Sequence, residues 1–550
     1  MVTRLALCYF TLFLALLILG CTPKNSTGTE QKPSEGLHFI DRREEAGVNF
    51  TYTLPGPRPI TILQSMPGGA AFLDYDNDGN LDLLCISYEV ALFKGDGKGK
   101  FTDVSTETGL KLPQGWWMGC AVGDYDNDGY DDIYISRYQG GVLLHNEGGK
   151  GFRDVTQIAG IAAQPWGSAC AFGDYDNDGK LDLFIGNYVE FNEKTMQLCQ
   201  VKNVKTSCSP TVYNPLFGKL MHNNGNGKFQ DATPTIVPKN VSGKVLGAHF
   251  IDFDGMGHQS LFLANDETPS DLLHNQGAEP FKNIAEPSGV AFQTDGKPYG
   301  GMGGDWGDFN EDGRPDLFMG TFALENKMIY VNEEDELFTD RGLALGIAQP
   351  SMLMVTFGAK WLDADNDGDL DLIFCNGYIA DNIHLYEPSR AYKQKTMLFE
   401  NENDGRKLTD RGASAGEAFS KLLVGRGLAT GDYDNDGLVD AFVVDADGKP
   451  LLLHNESKSK GNWISLKLEG ARSNRSAYGA KVRIEAGGKT RLRHYHADGS
   501  YFSSSDPRIH IGIGQEKAVS LTIEWPSNLK ERFTAEANKT TLCKEGTGQK

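Results

Sequence analysis

The chain has 550 residues, which is enough for two or three ordinary domains or for one large repeat domain with an addition. Its formal net charge of -21 argues against nucleic acid as a partner. Much of this acidity has a local origin, because 23 of the 74 acidic residues stand at the first, third, fifth and ninth positions of six copies of one nine-residue pattern. The low isoelectric point therefore does not by itself indicate a basic partner.

The first 36 residues are expected to direct export and not to join the fold. Arg4 precedes an apolar run, about Leu5–Leu19, that is short for a membrane span and typical of a secretory signal. The run ends in Ile-Leu-Gly-Cys at Cys21, which resembles the lipobox of bacterial lipoproteins, whose cysteine is lipidated. We therefore predict a signal peptide over 1–20, lipidation of Cys21 and a flexible tether over 21–36. An ordinary signal peptide with a chance cysteine is the alternative.

One acidic pattern then recurs along the chain, with carboxylates at its first, third, fifth and ninth positions and glycine at its sixth. Such a loop suits Ca²⁺, which takes six to eight oxygen ligands, and glycine permits the sharp turn. The seventh position varies freely, which fits a backbone carbonyl ligand. Taken with that position, the candidate metal ligands are Asp74, Asp76, Asp78, Asn80 and Asp82; Asp124, Asp126, Asp128, Tyr130 and Asp132; Asp174, Asp176, Asp178, Lys180 and Asp182; Asp308, Asn310, Asp312, Arg314 and Asp316; Asp363, Asp365, Asp367, Asp369 and Asp371; and Asp432, Asp434, Asp436, Leu438 and Asp440.

Two other readings of this pattern are less favourable. An EF-hand needs a glutamate at its twelfth position, where these copies place residues such as Cys85 and Ile135, inside apolar runs typical of strands. Acidic turns without metal would leave many carboxylates close together, and these repel one another without a cation. We therefore predict about six structural calcium sites. Asn310 should weaken one of them, and a decayed copy with Met256 and Ser260 at its fifth and ninth positions should hold none.

The copies recur with a period of roughly 50 residues, which indicates a propeller or a β-solenoid. Each unit has a small-residue strand before the loop, an apolar strand after it, a third strand ending in Asn, and a fourth such as Phe101–Asp103. Four strands per unit and seven units predict an all-β, seven-bladed β-propeller over 37–460. The last unit lacks its fourth strand after Asn455. Phe39–Asp41 has the missing pattern and is predicted to complete that blade, which removes two free sheet edges.

Export also permits disulfide bonds. Cys199 and Cys208 flank a short polar loop and are the candidate disulfide pair. Cys85, Cys120, Cys170 and Cys375 lie in predicted strands, where buried thiols are the default, and Cys543 is a further candidate free thiol.

The region 461–546 changes to strands of plain alternating polarity and predicts a small C-terminal β-sandwich. Its stretches 473–480, 510–514 and 524–527 resemble the ASPIC/UnbV domain, and the repeats before it resemble the FG-GAP (VCBS-like) repeats of integrin α-subunit propellers. Together they resemble bacterial members of the cartilage acidic protein family. The resemblance implies that each calcium loop joins the first and second strands of a blade on one face.

Recognition is then expected on the opposite face, which collects the long loops. Exposed aromatic residues around a concavity often bind sugar rings or protein side chains. Packing of Trp116 and Trp166 between blades is the alternative. The candidate ligand-face residues are Trp116, Trp117, Arg137, Tyr138, Trp166, Tyr188, Asp266, Tyr299 and Tyr378.

Known catalytic motifs are absent from the sequence: it has no Gly-x-Ser-x-Gly elbow, His-Glu-x-x-His pair, Walker loop or Cys-x-x-Cys. The leading hypothesis is a calcium-binding module for adhesion in the cell envelope, lipid-anchored at the outer membrane or cell surface. Its expected partners are a surface or matrix protein or a glycan. The alternatives are a carbohydrate-active enzyme, such as a polysaccharide lyase or hydrolase using the funnel opposite the calcium loops, and a scaffold in an envelope complex.

Overall fold

The structure is a computed structural model that describes residues 36–277, 280–402 and 405–550. The predicted signal peptide, Cys21 and nearly all of the predicted tether lie outside the described residues. Regular structure in the described part is almost entirely β-strand, together with three short 3-10 turns and four one-turn helices. No helix within it is long and apolar enough to cross a membrane. The helices are α1 (Thr156–Ala159), α2 (Thr233–Ile236), α3 (Ala285–Ser288) and α4 (Ala348–Ser351).

The strands follow the repeats predicted from the sequence. The first are β1 (Phe39–Asp41), β2 (Gly69–Leu73), β3 (Asp82–Ile86), β4 (Val90–Gly95), β5 (Phe101–Asp103), β6 (Trp117–Gly123), β7 (Asp132–Asn146), β8 (Phe152–Asp154), β9 (Gln164–Gly173), β10 (Asp182–Asn187), β11 (Cys199–Val201), β12 (Val204–Thr206), β13 (Gly218–Asn223) and β14 (Phe229–Asp231). Next come β15 (Val245–Ile251), β16 (Ser260–Asn265), β17 (Asp271–His274), β18 (Lys282–Asn283), β19 (Gly304–Gly307), β20 (Asp316–Met319), β21 (Met328–Asn332), β22 (Phe338–Asp340), β23 (Thr356–Leu362) and β24 (Asp371–Asn376). The repeats end with β25 (Gln394–Lys395), β26 (Met397–Glu402), β27 (Lys407–Asp410), β28 (Leu422–Leu423), β29 (Gly425–Gly431), β30 (Asp440–Asp445) and β31 (Leu451–Asn455).

Most repeats form one antiparallel sheet each, in the orders β2-β3-β4-β5, β15-β16-β17-β18, β19-β20-β21-β22, β23-β24-β26-β27 and β29-β30-β31-β1. Two repeats share a seven-stranded sheet, β14-β13-β10-β9-β7-β6, with β8 paired to β7. In that sheet β7 folds back on itself and brings its two ends together. The amide of its last residue, Asn146, donates to the carboxylate of its first residue, Asp132, over 2.8 Å. The all-β class is confirmed and the sheet order is propeller-like. The count of seven blades stays a prediction, because the shared sheet runs through two repeats.

The N-terminal strand completes the last sheet, as predicted. β1 pairs antiparallel with β31, with Phe39 opposite Asn455 and Asp41 opposite Leu453. Apolar side chains fill the spaces between neighbouring sheets; one such cluster joins Leu73, Leu84 and Leu92 of one repeat to Val122 and Ile133 of the next. Ring closure therefore buries the faces that each sheet leaves exposed by itself.

The C-terminal part forms two sheets that share one apolar core and belong to the same compact unit as the repeats. The sheets are ordered β35-β32-β38 and β34-β33-β36-β37. Their strands are β32 (Asn462–Glu469), β33 (Lys481–Ala486), β34 (Lys489–His494), β35 (Ile509–Gly514), β36 (Ala518–Glu524), β37 (Lys530–Glu536) and β38 (Lys539–Lys544).

A segment between β34 and β35 enters the centre of the ring, where sequence reasoning places nothing. We call residues 497–506 the plug segment. Ser504 bridges Ala71 of β2, and Ser500 bridges Gly304 of β19. The Cys120 amide donates to the Phe502 carbonyl over 3.3 Å, and the Tyr501 hydroxyl donates to the Met66 carbonyl over 3.1 Å. The first strands of several repeats therefore line a channel that the plug segment fills.

The small residues of these first strands make room for the plug segment. A Cβ atom at Gly69 would stand 2.3 Å from the Phe502 carbonyl oxygen, and one at Gly119 would stand 2.5 Å from the Phe502 Cβ. Both distances are far below van der Waals contact. Glycine is therefore required at these two positions by the close approach of the plug.

Candidate metal centres

Each acidic loop connects the first strand of a repeat to the second, and all of these connections lie on one face, the loop face. The first loop follows β2 and ends at the start of β3, and the last follows β29 and ends at the start of β30. Because successive strands are antiparallel, the connections from second to third strand lie on the opposite face. We call that face the insertion face, because it carries the insertions after β10 and β24.

Hydrogen bonds curl each loop around its first aspartate. In the second loop the Gly129 amide donates to the Asp124 carboxylate over 2.7 Å, and the Asp128 amide donates to the same side chain over 3.0 Å. The Tyr130 amide donates to Asp128 over 2.9 Å. These bonds turn the first, third and fifth side chains towards one point. In the first loop, Asp74, Asp76 and Asp78 each offer an oxygen within 4.8 Å of the others.

The fourth residue of the loops links neighbouring repeats. Asn77, Asn127, Asn177, Asn366 and Asn435 all have positive φ, a conformation that asparagine tolerates better than most residues. Four of these side-chain amides donate to a glycine carbonyl of the next loop. The Asn127 amide, for example, donates to the Gly179 carbonyl over 2.9 Å. The Asn435 amide returns to Asn80 of the first loop over 3.3 Å. The loops therefore form a chain of contacts around the face.

The ninth aspartate is held by the backbone of its own repeat. The Asp132 carboxylate accepts from the Tyr125 amide over 3.2 Å and from the Asn146 amide over 2.8 Å. The Asn146 side chain in turn donates to the Tyr75 carbonyl of the preceding repeat over 2.8 Å. The same pattern recurs in later repeats, so each loop is fixed to both its own sheet and its neighbour.

The loops contain buried oxygens that the described residues leave without a hydrogen-bond donor. In the intact loops they include Asp74 Oδ1, Asp76 Oδ1, Asp316 Oδ2, Asp365 Oδ1, Asp369 Oδ1 and Asp434 Oδ1, and the decayed loop adds Asp252 Oδ1. Carboxylate oxygens buried without a partner cost free energy, and a hard divalent cation satisfies several at once. The donor set is almost purely oxygen, which fits Ca²⁺. Ligation by the carbonyl of the seventh residue stays a prediction.

Burial raises the pKa of the first and the ninth aspartate of each intact loop, and neighbouring carboxylates raise it further. The pKa of Asp124 rises to about 8, and those of Asp174 and Asp363 rise to about 7. A bound divalent cation would favour the ionised form of each group and offset both effects. A divalent cation and protons would therefore compete for these loops.

Side chains from the third strands also approach the loops, at a position outside the nine-residue pattern. His145 Nδ1 lies 3.3 Å from both Asp126 and Asp132, and His222 and His454 occupy the same position in their repeats. In the first repeat Lys94 takes this place and contacts Asp76 and Asp78. The sequence contained a signal for these contacts, because a histidine directly precedes the Asn that ends the third strand in several repeats.

The decayed fourth loop contains a cation supplied by the C-terminal part. The Lys481 ammonium lies 2.6 Å from Asp252, and both side chains are at least nine-tenths buried. His274 Nε2 lies 2.7 Å from the third-position residue, Asp254. The prediction that this loop holds no calcium therefore has a physical basis in the residue that neutralises it.

The C-terminal part contacts every repeat on the loop face, while loop residues such as Asp126, Asp128 and Asp436 stay exposed. The Gly512 amide donates to Asp363 over 2.7 Å, and the Asp124 amide donates to Ser476 over 2.9 Å. The other loops meet the C-terminal part through the following pairs: Lys467 and Asp74, Asn474 and Asp174, Lys481 and Asp252, Arg491 and Glu311, and Arg508 and Asp432.

The candidate ligand-face aromatics do not form an exposed ring. Trp166 and Tyr299 are fully buried, and Trp117, Tyr138, Tyr188 and Tyr378 are buried as well. Trp166 packs against Tyr138 and Tyr188, with ring centroids 5.4 Å and 5.2 Å apart, so packing explains it. Trp116 and Arg137 are half-buried, and Arg137 lies 4.7 Å over the Trp117 ring. Of the nine residues, the structure brings Tyr188, Asp266 and Tyr378 together around one cavity.

The insertion after β10 is cross-linked as predicted, because Cys199 and Cys208 form a disulfide bond. Cys85, Cys120, Cys170, Cys375 and Cys543 are free and buried. Burial raises the pKa of the Cys120, Cys375 and Cys543 thiols to about 12, so these thiols stay protonated and unreactive at neutral pH.

Comparison with known proteins agrees with this arrangement. The FG-GAP-like repeat family matches residues 74–135, 126–185 and 252–319, and the ASPIC and UnbV family matches residues 470–550. Cartilage acidic protein 1 of Mus musculus is 26% identical over 274 residues, which is 48% of this chain and 39% of that protein. The human protein is also 26% identical over 274 residues, covering 48% of this chain and 38% of its own length. The match thus spans well under half of these relatives.

Solved structures are similar only at a coarse level. A lectin of Agrocybe aegerita that recognises terminal N-acetylglucosamine is 13% identical, with a TM-score of 0.39 over 81% of this chain and 100% of the lectin. YCF48 of Cyanidioschyzon merolae is 9% identical, with a TM-score of 0.40 over 74% of this chain and 98% of its own. Neither likeness carries a functional argument. From the family matches and the curated relatives, this chain combines FG-GAP-like repeats with a C-terminal ASPIC and UnbV domain and is homologous to cartilage acidic protein 1.

Proposed function

We propose that this protein is a calcium-binding repeat protein of the cell envelope that acts as a binding or adhesion module. The single observation that carries the proposal is the set of buried loop oxygens without hydrogen-bond donors, such as Asp74 Oδ1 and Asp434 Oδ1. Calcium at these oxygens has a structural role, because metal bound only by the folded state adds to the free energy of unfolding.

The insertion face is the recognition surface in this proposal. The C-terminal part contacts the loop face at all seven repeats and takes up part of that face, although loop residues such as Asp126, Asp128 and Asp436 stay exposed. The insertion face carries non-repeating segments, and loops on a rigid scaffold are where binding residues collect. The partner class is a surface or matrix protein or a glycan, and a lipid on Cys21 would hold the module at the membrane.

Calcium content and thermal stability test the structural role. We expect the chain to bind about six Ca²⁺, and each ion at a hundredfold excess over its Kd stabilises by about 2.7 kcal/mol. Excess EGTA should therefore lower the melting temperature sharply. The triple variant Asp432→Asn, Asp434→Asn and Asp436→Asn should bind one ion fewer. The control Asp295→Asn, on an exposed loop outside the pattern, should lose none. Unchanged melting in EGTA would contradict the proposal.

The binding role needs a separate screen. Arrays of glycans and of envelope proteins are probed with the calcium-loaded chain and with the chain in EGTA. Binding that requires folded, calcium-loaded protein supports the module. Release of modified or cleaved glycans from the array would support an enzyme instead.

A further inference from the structure

The insertion face holds a cavity of about 210 Å³ above the plug segment. An engineered apolar cavity of about 150 Å³ is enough to bind benzene, so this one admits a somewhat larger molecule. It reaches the surface beside Val201, which lines the cavity and is 37% exposed. Its floor includes Met66 and Phe357, which contact Tyr501 of the plug segment.

Two insertions are braced together over this cavity. The Thr206 hydroxyl donates to the Asn382 side chain over 2.9 Å and lies 3.2 Å from the Tyr386 hydroxyl. The Asn382 amide donates back to the Lys205 carbonyl over 2.7 Å. The Cys199–Cys208 disulfide closes the same segment. The roof is therefore cross-linked both covalently and by hydrogen bonds, which keeps space open below it.

The polar side of the cavity is acidic. Asp266 is 6% exposed, and its Oδ2 accepts a 2.5 Å hydrogen bond from the Tyr188 hydroxyl. Its Oδ1 receives no hydrogen bond from the described residues. Glu267 stands beside it and accepts from Ser209 over 3.0 Å. Within the described residues, no Lys, Arg or His side chain lines the cavity. Burial raises the pKa of Asp266 to about 7, and a cation in the cavity would favour its ionised form.

Arg390 and Lys202 contact the wall residues Tyr378 and Tyr386 without lining the cavity, and no cation among the described residues forms an ion pair with Asp266. Arg426 lies behind Phe357, 3.9 Å from its ring, and donates to the carbonyls of Ser65, Gly377, Gly425 and Tyr378. Lys244 is buried near Asp266, yet the described residues include no ion pair between the two. The hydroxyl side chains of Ser65, Thr206, Ser207 and Ser209 also line the cavity. The remaining lining is aromatic or apolar and includes Tyr188, Phe322, Tyr378 and Tyr386.

We propose that this cavity binds a small organic cation, an ammonium with apolar substituents, with Asp266 as its counter-ion and the tyrosine and phenylalanine rings as its walls. An anionic residue at one side and aromatic rings around it form the usual environment for such ligands. The inference rests on the proposed function only in taking the insertion face as the recognition surface. It names the ligand chemistry that the sequence does not indicate.

Choline and its neutral isostere, in which carbon replaces the charged nitrogen, form a matched pair of probes. Calorimetry on the calcium-loaded full chain should give a Kd for choline of about 1 mM or tighter. The isostere should bind at least tenfold more weakly, because it fills the same volume without the charge. Equal binding of the two probes, or no binding of choline, overturns the proposal.

Variants locate the site. Asp266→Asn should weaken choline binding at least tenfold, and Tyr386→Leu, at a half-buried wall position, should weaken it severalfold. Glu190→Gln is the control, since it removes one charge from the same insertion without lining the cavity. Unchanged affinity in both Asp266→Asn and Tyr386→Leu overturns the site even if one of them folds poorly.

The outcome is separable from that of the calcium proposal. Asp266 and Tyr386 line a cavity on the insertion face, whereas the loop aspartates lie on the opposite face. Calcium content can therefore be measured independently on the same samples. Normal calcium content without choline binding rejects the cavity ligand alone. If the melting temperature does not depend on calcium while choline still binds, only the structural role of calcium is rejected.

Discussion

The loop face and the insertion face follow different rules. On the loop face one solution is repeated: an aspartate cluster, a backbone cradle and an Asn contact to the next repeat. On the insertion face the segments after β10 and β24 differ in length and share no pattern, and together they enclose a cavity. Because its pattern is repeated, the structure of the loop face can be predicted from the sequence. The structure of the insertion face depends on contacts between segments almost 200 residues apart.

The largest single-residue effect is expected where the two faces meet, at the plug segment. Tyr501 is fully buried, packs against Phe357 and donates to the Met66 carbonyl. Tyr501→Ala should lower the free energy of unfolding by about 3–5 kcal/mol, because it leaves a large cavity and an unpaired carbonyl. Denaturant titration measures this change.

Its control is Tyr386→Ala on the insertion face, which is half-buried and should cost about 1 kcal/mol. A loss at Tyr501 no larger than at Tyr386 would mean that the plug does not join the two faces.

The second effect tests the one repeat that departs from the loop pattern. Lys481→Met leaves Asp252 buried without its cation and should cost about 3 kcal/mol. Lys467→Met removes a half-exposed ammonium 3.5 Å from Asp74 and should change stability by under about 1 kcal/mol. Both values come from thermal or chemical unfolding in saturating calcium.

The double variant with Asp252→Asn is the sharper check. It removes both charges, so it should recover most of the loss. If the single and double variants were equally unstable, the Lys481 ammonium would not act by neutralising Asp252.

The plug segment and the Lys481–Asp252 pair were not predictable from the sequence, whereas the repeated strands were. Phe101–Asp103 and Phe39–Asp41 were predictable as strands because each repeats a pattern seen in other units. The contact of Lys481 with Asp252 joins positions 229 residues apart and follows no pattern. The plug segment has no repeat partner either. Burial of Trp166 and Tyr299 was also hidden, because a sequence shows that an aromatic residue precedes a strand but not which neighbour covers it.

The third effect is a pH dependence at the centre of the ring. Burial lowers the pKa of His249 to about 4, from an ordinary value of 6.5, and its surroundings include Asp305, Lys360, His496 and Asp498. Between these two pH values the unfolded chain binds a proton that the folded chain does not. Stability is therefore complete above pH 6.5 and falls by up to about 1.4 kcal/mol per pH unit as the pH drops towards 4.

His249→Gln should flatten the stability profile between pH 6.5 and 4 by up to one proton. His384→Gln, at an exposed position on the insertion face, should leave the profile as it is. Denaturant titrations at several pH values measure both slopes. A profile for His249→Gln as steep as that of the parent chain would show that this histidine is not buried in its neutral form.

The smallest effect tests the contacts that join one loop to the next. Asn127 donates to the Gly179 carbonyl and accepts from the Arg475 amide over 2.7 Å, so it connects two repeats and the C-terminal part. Asn127→Gly keeps the positive φ at no steric cost and removes both bonds, which should cost about 1–2 kcal/mol. Asn226→Gly is its match, because that residue has φ of 54° and is exposed. If the links tie the loops into one ring, Asn127→Gly should also weaken calcium binding in the second and third loops together, whereas a purely local contact would affect the second alone.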